Sequence, residues 1–480
     1  MSRPLLIVPF VLGGLAAFAA TRMPVSDSDL FWHLAVGRDI AAHGIPSADG
    51  FSWTIAGRPV LADQWLGELL IYTGFALGSW AGVIALRALA VGVIVATVVW
   101  AALAERPRRP LVAVLAALPA IALSRFAWTD RPELFGLLCF TILLALLRAG
   151  RRGSAVAFAL CPGLLIAWAN LHGSYALGLG LVILVAIERA IVDAQRRPRY
   201  AALAVASALA TFITPAGLGT WTSSGGHFLA PPRFVQEEGT PDITTLPGLL
   251  FSIALLATLA SALLAPRRRD QLFEIVMLLP VAFVSMTATR HLVFFPIAAA
   301  PFLSSWGPDA LGRLSATLHE TWGDAIRGTA RLDERGSSEQ AMRFGPIANA
   351  IAGLVALAML IVGVATAPRE PDLSAFPVAA LPQLGAGPGL LNRYDWGGFL
   401  IWYAPATPVF VDGRLFPYVG EALDDYRAVI GLHPDWRAVL AKRGIRIVLV
   451  GSSDAIAVEG IALGWPILTR TPEWVMLRVP

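Results

Sequence analysis

Asp27 and Asp29 open a segment that reads Asp-Ser-Asp-Leu-Phe-Trp-His, and the pair directly follows a long apolar run. Carboxylates at the edge of an apolar segment are costly unless they face a cavity or a substrate path. Four later segments between apolar runs are built alike. Arg125 to Glu133 carries Asp130 and Arg131; Trp168 to Gly173 carries Asn170 and His172; 214–246 carries Glu237, Glu238 and Asp242; the last is Thr289-Arg290-His291. A cation beside an imidazole at a span end suits a phosphate, so Arg290 and His291 are read as phosphate ligands as well as interfacial anchors. Each of the others has an ordinary alternative. Asp27 and Asp29 also suit a cap for a helix over 29–42. Asp130 and Glu133 also suit pairing with Arg125 and Arg131. Asn170 and His172 suit hydrogen bonds between helices better than chemistry. Trp32, Trp53 and Trp65 are read as an aromatic belt.

The elements that hold these residues follow from composition. Of 480 residues, 56% are hydrophobic and 15% charged, against about 25% charged in soluble domains. That excludes a soluble enzyme, a disordered chain and a coiled coil. Eleven runs approach the ~20 residues of helix a bilayer needs: 4–22, 81–104, 110–125, 133–149, 154–170, 174–192, 200–215, 247–265, 271–288, 291–307 and 346–367. The expected fold is an all-α polytopic membrane domain over 1–367 with about eleven transmembrane helices. Leu61, Trp65, Leu69 and Tyr72 share one face of 61–80, opposite Asp63, Gln64 and Glu68, as in an amphipathic helix lying on a membrane surface.

Arginine sets the orientation. Arg3, Arg106, Arg108, Arg109, Arg148, Arg151, Arg152, Arg189, Arg196, Arg197, Arg199 and Arg267 to Arg269 all fall on alternate connections. The positive-inside rule places that side in the cytoplasm. The N-terminus is then inside, and the five polar segments, starting with the outer loop 23–80, share the outer face of the cytoplasmic membrane. The first run is read as an uncleaved anchor in preference to a signal peptide, because ordered-looking sequence starts at once after it. The inner connection 308–345 reads as a solvated amphipathic helix.

After a Pro-rich linker over 368–385, the pattern over 386–480 alternates between strand and helix, as in a small extracytoplasmic α/β domain. Strands are expected at Phe399–Trp402, Pro408–Val411, Arg446–Val450 and Trp474–Arg478, and helices at Asp424–Val429 and Trp436–Arg443. No nucleotide-binding, serine-hydrolase or zinc motif occurs. The arginine clusters lack interleaved aromatics, so nucleic acid is not an expected partner. Cys139 and Cys161 lie inside apolar runs without metal-ligand spacing.

These segments resemble the GT-C class of integral-membrane glycosyltransferases. Asp27 through His33, continuing to His43-Gly44, is similar to the acidic first-loop motif of that class, especially in oligosaccharyltransferase catalytic subunits. Arg125 through Asp130 to Glu133 resembles their second acidic motif, and Glu238-Gly-Thr-Pro241 faintly resembles a Glu-containing loop. Arg393-Tyr394-Asp395-Trp396-Gly397 resembles the Trp-Trp-Asp-Tyr-Gly motif that opens their outer soluble domain. Asp27–His33, Trp396–Trp402 and Phe410–Arg414 are also similar to segments of a broad group of bacterial GT-C-like proteins, and that resemblance covers nearly the whole chain. The acceptor motif departs from the pattern at Arg393 and Tyr394.

The resemblance implies transfer of a sugar from a polyprenyl-phosphate-linked donor to a cell-envelope acceptor. Membrane lipids would surround the helices and the donor lipid would run between them. Asp29, with Asp27, would be catalytic; Arg290, His291 and Arg131 would bind the donor phosphate; Tyr394, Asp395 and Trp396 would contact the acceptor. Asp27, Asp130 and Glu238 would hold Mg²⁺ or Mn²⁺ if a metal takes part. Two other readings compete. A transporter or flippase of a lipid-linked saccharide predicts internal repeats and mid-span charges; no repeat is visible, and Arg87 and Glu274 are the nearest such charges. A non-catalytic envelope assembly protein predicts that Asp29 is replaceable.

Overall fold

The computed structural model describes residues 6–105, 109–229, 236–266, 270–318 and 345–480. The apolar runs are helical. In chain order the helices are α1 (Ile7–Thr21), α2 (Ser28–His43), α3 (Trp65–Leu103), α4 (Pro110–Ser124), α5 (Pro132–Arg151), α6 (Ala155–Leu171), α7 (Tyr175–Val192), α8 (Arg197–Ala210), α9 (Leu218–Leu229), α10 (Leu246–Leu264), α11 (Gln271–Ser285), α12 (Phe294–Leu318) and α13 (Gly345–Ala365). Among the described residues, six are long and apolar enough to cross a membrane: α3, α4 with its extension to Ala127, α5, α7, α10 and α13. The chain is a multi-pass integral membrane protein.

The expected count of eleven spans is larger, and short helices make the difference. α1, α6 and α11 are apolar but have 15, 17 and 15 residues. α8 opens on Arg197 and Arg199, and α12 carries Pro301 and Pro308. α9 lies inside the segment 214–246, where no helix is expected. Arg3, Arg106, Arg108 and Arg267 to Arg269, and the amphipathic helix expected within 308–345, fall wholly or largely outside the described residues.

The chain forms two compact units. The first joins Met1–Met23 to Ile84–Ala367, and the second joins Pro24–Val83 to Pro368–Pro480. In the first unit, α1 meets two helices through small residues, which let membrane helices approach closely. A Cβ on Gly13 would stand 2.7 Å from the Gly92 carbonyl oxygen, and one on Gly14 would stand 2.8 Å from Cα of Ala356. Arg22 closes the α13 end by donating to the carbonyls of Gly363 and Thr366. α5 carries charge at both ends. At its C-terminal end Arg148 is buried and grips Glu274 of α11 through two bonds of 3.0 and 2.8 Å, with Phe273 beneath it. Arg152 holds Glu105 at 2.9 Å, and Arg151 holds Asp270 at 3.2 Å.

In the second unit, α2 packs against a short helix from the tail, α14 (Gly397–Tyr403). Phe31, Phe376, Phe399 and Tyr403 stack between them at centroid distances of 4.9–6.0 Å. The tail also contains α15 (Glu421–Ile430), α16 (Trp436–Arg443) and α17 (Ala455–Ala462). Its strands are β1 (Leu390–Asn392), β2 (Ile447–Gly451), β3 (Ile467–Arg470) and β4 (Trp474–Arg478), in sheet order β1-β2-β4-β3. β1 runs parallel to β2, with Leu390 opposite Ile447; the other pairs are antiparallel, giving a small mixed sheet.

Two expected strands are corrected. Phe399–Trp402 is helical, because a four-residue apolar run does not tell a buried strand from a buried helix turn, and here it packs on a helix. Pro408–Val411 makes only an isolated bridge, between Val409 and Ser52. α3 begins earlier than the expected span and takes in most of the expected amphipathic helix. The two parts meet at Ser79, whose φ of 52° and ψ of −145° are not helical. A Cβ on Gly82 would stand 1.9 Å from the Gly74 carbonyl oxygen, so only glycine allows that close return.

Candidate functional site

In the second unit the polar residues gather around the start of α2. Asp27 is its N-cap, and Oδ1 accepts the Asp29 backbone N–H at 3.0 Å, so the capping reading of Asp27 holds. Asp29 sits in the first turn, where a carboxylate also complements the helix dipole. Beside it runs the segment 409–414. A Cβ on Gly413 would stand 2.0 Å from Asp29 Oδ1 and 2.9 Å from Trp32 Nε1. The missing side chain at 413 is therefore what lets carboxylate and indole face that backbone. Gly397 and Gly398 permit similar approaches, to the Val411 carbonyl and to the Ser28 carbonyl.

A buried ion network fixes Gly413. Asp412 is fully buried and accepts from Arg414 Nε at 2.8 Å, Arg414 Nη2 at 2.6 Å and the Tyr418 hydroxyl at 2.5 Å. Arg414 Nη1 reaches Asp49 at 2.7 Å. One planar guanidinium thus joins two carboxylates from distant parts of the chain, a geometry that suits arginine and not lysine. Asn392 at the end of β1 holds the same segment from its other side. It accepts the Phe410 N–H at 2.8 Å and donates to the Val411 carbonyl at 2.8 Å.

Tyr394 donates its hydroxyl to the Gly413 carbonyl at 3.2 Å. Burial, then the charges of Asp29 and Asp412, push that phenol well above its ordinary value, so it remains a neutral donor. Of the expected acceptor-binding trio, only Tyr394 stands at this cluster. Asp395 is exposed and lies 3.7 Å from Arg393. Trp396 is buried and donates its indole N–H to the Ala375 carbonyl. His33 stacks on Trp32 and lies 3.4 Å from Glu68, with both side chains buried. Among the described residues, the buried Trp32 indole N–H meets no hydrogen-bond partner.

In the first unit, three polar segments from distant parts of the sequence converge. Thr289 donates from its backbone N–H and its hydroxyl to the Gly239 carbonyl, at 3.0 and 3.2 Å, tying 289–291 to 237–239. Arg290 meets Glu238 at 2.7 Å, and Arg131 meets Glu237 at 3.0 Å. Glu133 lies within electrostatic reach of all four. His291 shares a 2.9 Å hydrogen bond with Thr287. Two partly exposed guanidinium groups thus stand near an imidazole, each paired with a carboxylate, with Glu133 also within reach.

Asp130 is turned to another use, since its carboxylate is buried against Arg87 at 2.6 Å. Arg87 also donates to the Met23 carbonyl at 2.7 Å. Asn170 donates to the carbonyls of Ile166 and Ile213, and His172 bonds Ser174, so both serve helix packing. Among the described residues, no group of three His, Cys, Asp or Glu side chains is placed to hold a metal ion. Of the carboxylates implied for a dication, Asp130 and Glu238 each face a guanidinium and Asp27 caps a helix. That donor set does not fit a metal site.

Neither a protein-family model nor a curated protein sequence matches the chain. Solved structures match it over nearly its whole length. ArnT from Cupriavidus metallidurans, bound to undecaprenyl phosphate, aligns at a TM-score of 0.50 and 16% identity, over 98% of this chain and 97% of that one. The apo oligosaccharyltransferase from Archaeoglobus fulgidus aligns at 0.54 and 12% identity, over 93% of this chain and 69% of that one. AglB from the same organism, in complex with an inhibitory peptide and a dolichol-phosphate, aligns at 0.59 and 10% identity, with the same coverage. The chain has the fold of the GT-C membrane glycosyltransferases. The Asp27–Asp29 turn and the arginines 131 and 290 are thus polar groups carried by a GT-C fold. Sequence reasoning named these residues but missed Asp49 and the Trp32 N–H as neighbours of the 412–414 segment in the second unit. Asp412 and Arg414 appeared only inside a resemblance, without a role.

Proposed function

We propose that this protein is a glycosyltransferase that moves a sugar from a polyprenyl-phosphate-linked donor to a cell-envelope acceptor, at the outer face of the cytoplasmic membrane. The observation that carries the reading is the fold alignment with ArnT, which spans 98% of this chain and 97% of that one. ArnT was solved with undecaprenyl phosphate and AglB with a dolichol-phosphate, so a polyprenyl phosphate is the natural leaving group to propose here.

In this reading Arg290 and Arg131, with His291, neutralise the phosphate as the sugar departs. Glu238 and Glu237 hold those guanidinium groups in place. Asp29 takes the acceptor's proton, and Asp27 fixes the turn that presents it. Tyr394 steadies the Gly413 backbone beside Asp29. No step is routed through Mg²⁺ or Mn²⁺. The transporter reading loses its motive, because Arg87 and Glu274, its nearest mid-span charges, are each locked in a buried ion pair.

The test follows label from a radiolabelled polyprenyl-phosphate sugar pool in membranes holding wild type, Asp29→Asn, Asp27→Asn or Arg290→Ala at equal protein level. Transfer by wild type, its loss in Asp29→Asn and a raised donor KM in Arg290→Ala are expected. Equal lipid consumption in all four, or none in any, refutes the reading and favours a transporter or an assembly protein.

A further inference from the structure

We propose that the second unit carries a separate binding site for an acidic saccharide, with Arg58 holding the acid group and the Trp53 ring facing the sugar. The inference goes beyond the transfer reading and uses none of the residues assigned there. A cavity of about 450 Å³ lies wholly within this unit. It is bordered by the turn from Trp53 to Arg58, by Glu421 and Ala422 of α15 and by Arg443 of α16. That volume falls in the ~300–1,000 Å³ range of small-molecule sites. The turn is pinned from behind. Asp49 donates its backbone N–H to the Arg58 carbonyl and accepts that of Gly57 at its own carbonyl, and Gly57 takes a φ of 72°. Trp53 donates its backbone N–H to the Val409 carbonyl at 3.1 Å and its indole N–H to the Leu390 carbonyl at 3.0 Å. The Thr54 hydroxyl donates to the Phe410 carbonyl at 2.6 Å. A wall fixed in this way has little freedom left to lose when a ligand binds.

Arg58 supplies the charge. Its Nη1 donates to the carbonyls of Pro417 and Val419, at 2.8 and 3.4 Å. These bonds anchor the guanidinium without neutralising it. Among the described residues Arg58 faces no carboxylate, and its Nε and Nη2 meet no acceptor. That free edge carries two parallel N–H groups, the fork that grips a carboxylate or a phosphate. Arg443 is placed differently. Asp425 accepts from its Nε at 2.6 Å, and Glu421 stands 3.6 Å from its Nη2 and 2.7 Å from Lys442 Nζ. Arg443 therefore builds the wall, and Arg58 is the cation left to balance. Trp53 points to the rest of the ligand. Its ring meets Phe410 edge-on at a centroid distance of 5.3 Å and borders the cavity. An aromatic face carries the negative side of the ring quadrupole, and the C–H face of a pyranose is apolar and slightly positive. Sugar hydroxyls can pair with the exposed backbone of Ala56 and Gly57. An acyl chain gains little here, because Ile55 and Ala422 turn their side chains into the fold.

The experiment is calorimetric titration of the full chain in nanodiscs of neutral lipid. The probes are a trigalacturonate, its neutral counterpart galactotriose, galactose 6-phosphate and inorganic phosphate. The trigalacturonate or the sugar phosphate is expected to bind about ten- to a hundredfold more tightly than galactotriose, and less tightly as salt rises. Whichever of the two binds better names the acid as carboxylate or phosphate. Arg58→Gln keeps an amide N–H for the turn and removes the charge, and is expected to lose that same factor. Ala56→Trp fills the cavity from an exposed position and is expected to weaken every sugar probe, with the thermal midpoint showing that both variants fold. Galactotriose binding as tightly as the acids, or full affinity in Arg58→Gln, overturns the assignment to Arg58. Inorganic phosphate binding as tightly as the sugar acids overturns the saccharide. Full affinity in Ala56→Trp places binding elsewhere, and no binding of any probe overturns the site outright. These titrations need no donor and no turnover, so their outcome is independent of whether the chain transfers a sugar.

Discussion

Gly413→Ala adds one methyl group at a position where its target is defined. Real Cβ atoms essentially never approach another heavy atom within 3.0 Å, and this one would start 2.0 Å from Asp29 Oδ1. The two must separate by at least 1.0 Å. The backbone at 413 resists the move, because Tyr394 holds its carbonyl and the Asp412–Arg414 pair flanks it. Asp29 therefore yields, and a displacement of that size at a reacting group costs about a hundredfold in rate. Overpacking of this kind also destabilises by about 1–3 kcal/mol. A double-mutant cycle separates the steric argument from catalysis. In an Asp29→Ala background the new methyl has no carboxylate to meet, so most of the destabilisation by Gly413→Ala is expected to vanish. Thermal midpoints of the four purified proteins measure the coupling, and label transfer measures the rate. Equal destabilisation in both backgrounds, or a Gly413→Ala protein with full transfer activity, refutes the reasoning.

Four further outcomes are expected. Arg414→Ala strands the carboxylates of Asp412 and Asp49, both fully buried, and costs about 3–5 kcal/mol in thermal unfolding; Arg414→Lys recovers little, since it cannot reach both. Arg87→Leu and Asp130→Leu each destabilise by about 3–5 kcal/mol, whereas the double variant recovers most of the loss, and a purified double variant as unstable as either single one contradicts that pairing. Chelation by EDTA leaves label transfer within about twofold, because arginines already neutralise Asp130 and Glu238; loss of transfer that Mn²⁺ restores would show the pairing to be displaceable. Burial pushes the phenols of Tyr394, Tyr418 and Tyr426 well above their ordinary value of 10. A raised folded value favours the neutral form, so the stability they contribute is complete below pH 10 and is lost as the unfolded phenols ionise above it. The thermal midpoint is expected to be insensitive to these tyrosines from pH 7 to 9, which Tyr394→Phe and Tyr426→Phe check.

Local signals were readable in the sequence where one element decided its own form. α16 ends where Gly444 takes the left-handed conformation, and β4 is a run of strand formers ending at Arg478. Asp27 declared itself as a cap because capping acts within three residues. What the sequence hid was long-range. Arg87 and Asp130 stand 43 residues apart, and Arg131 and Glu237 stand 106 apart; no periodicity links such partners. The helix over Phe399–Trp402 takes its form from the neighbour it packs on. Among the described residues six of the eleven expected runs form helices of full span length, because hydropathy finds apolar segments but does not by itself set their helix length. The pairings were not legible: Glu238, read as a carboxylate for a metal, faces Arg290 in the fold.

The grip of Arg148 on Glu274 bears on how the chain is made. Its two halves are 126 residues apart, and synthesis runs at roughly 5–20 residues per second. The α5 arginine thus emerges ~6–25 seconds before Glu274, with Glu105, 3.4 Å from it in the finished fold, already made. During that interval its guanidinium is expected to stay at the lipid headgroups, as a long cationic side chain near a helix end does. α11 then arrives with Glu274 in its first turn and brings the second carboxylate. Closing the pair is therefore a late event in assembly, and a chain truncated before residue 274 is expected to leave α5 shallow in the membrane and open to quality-control proteases.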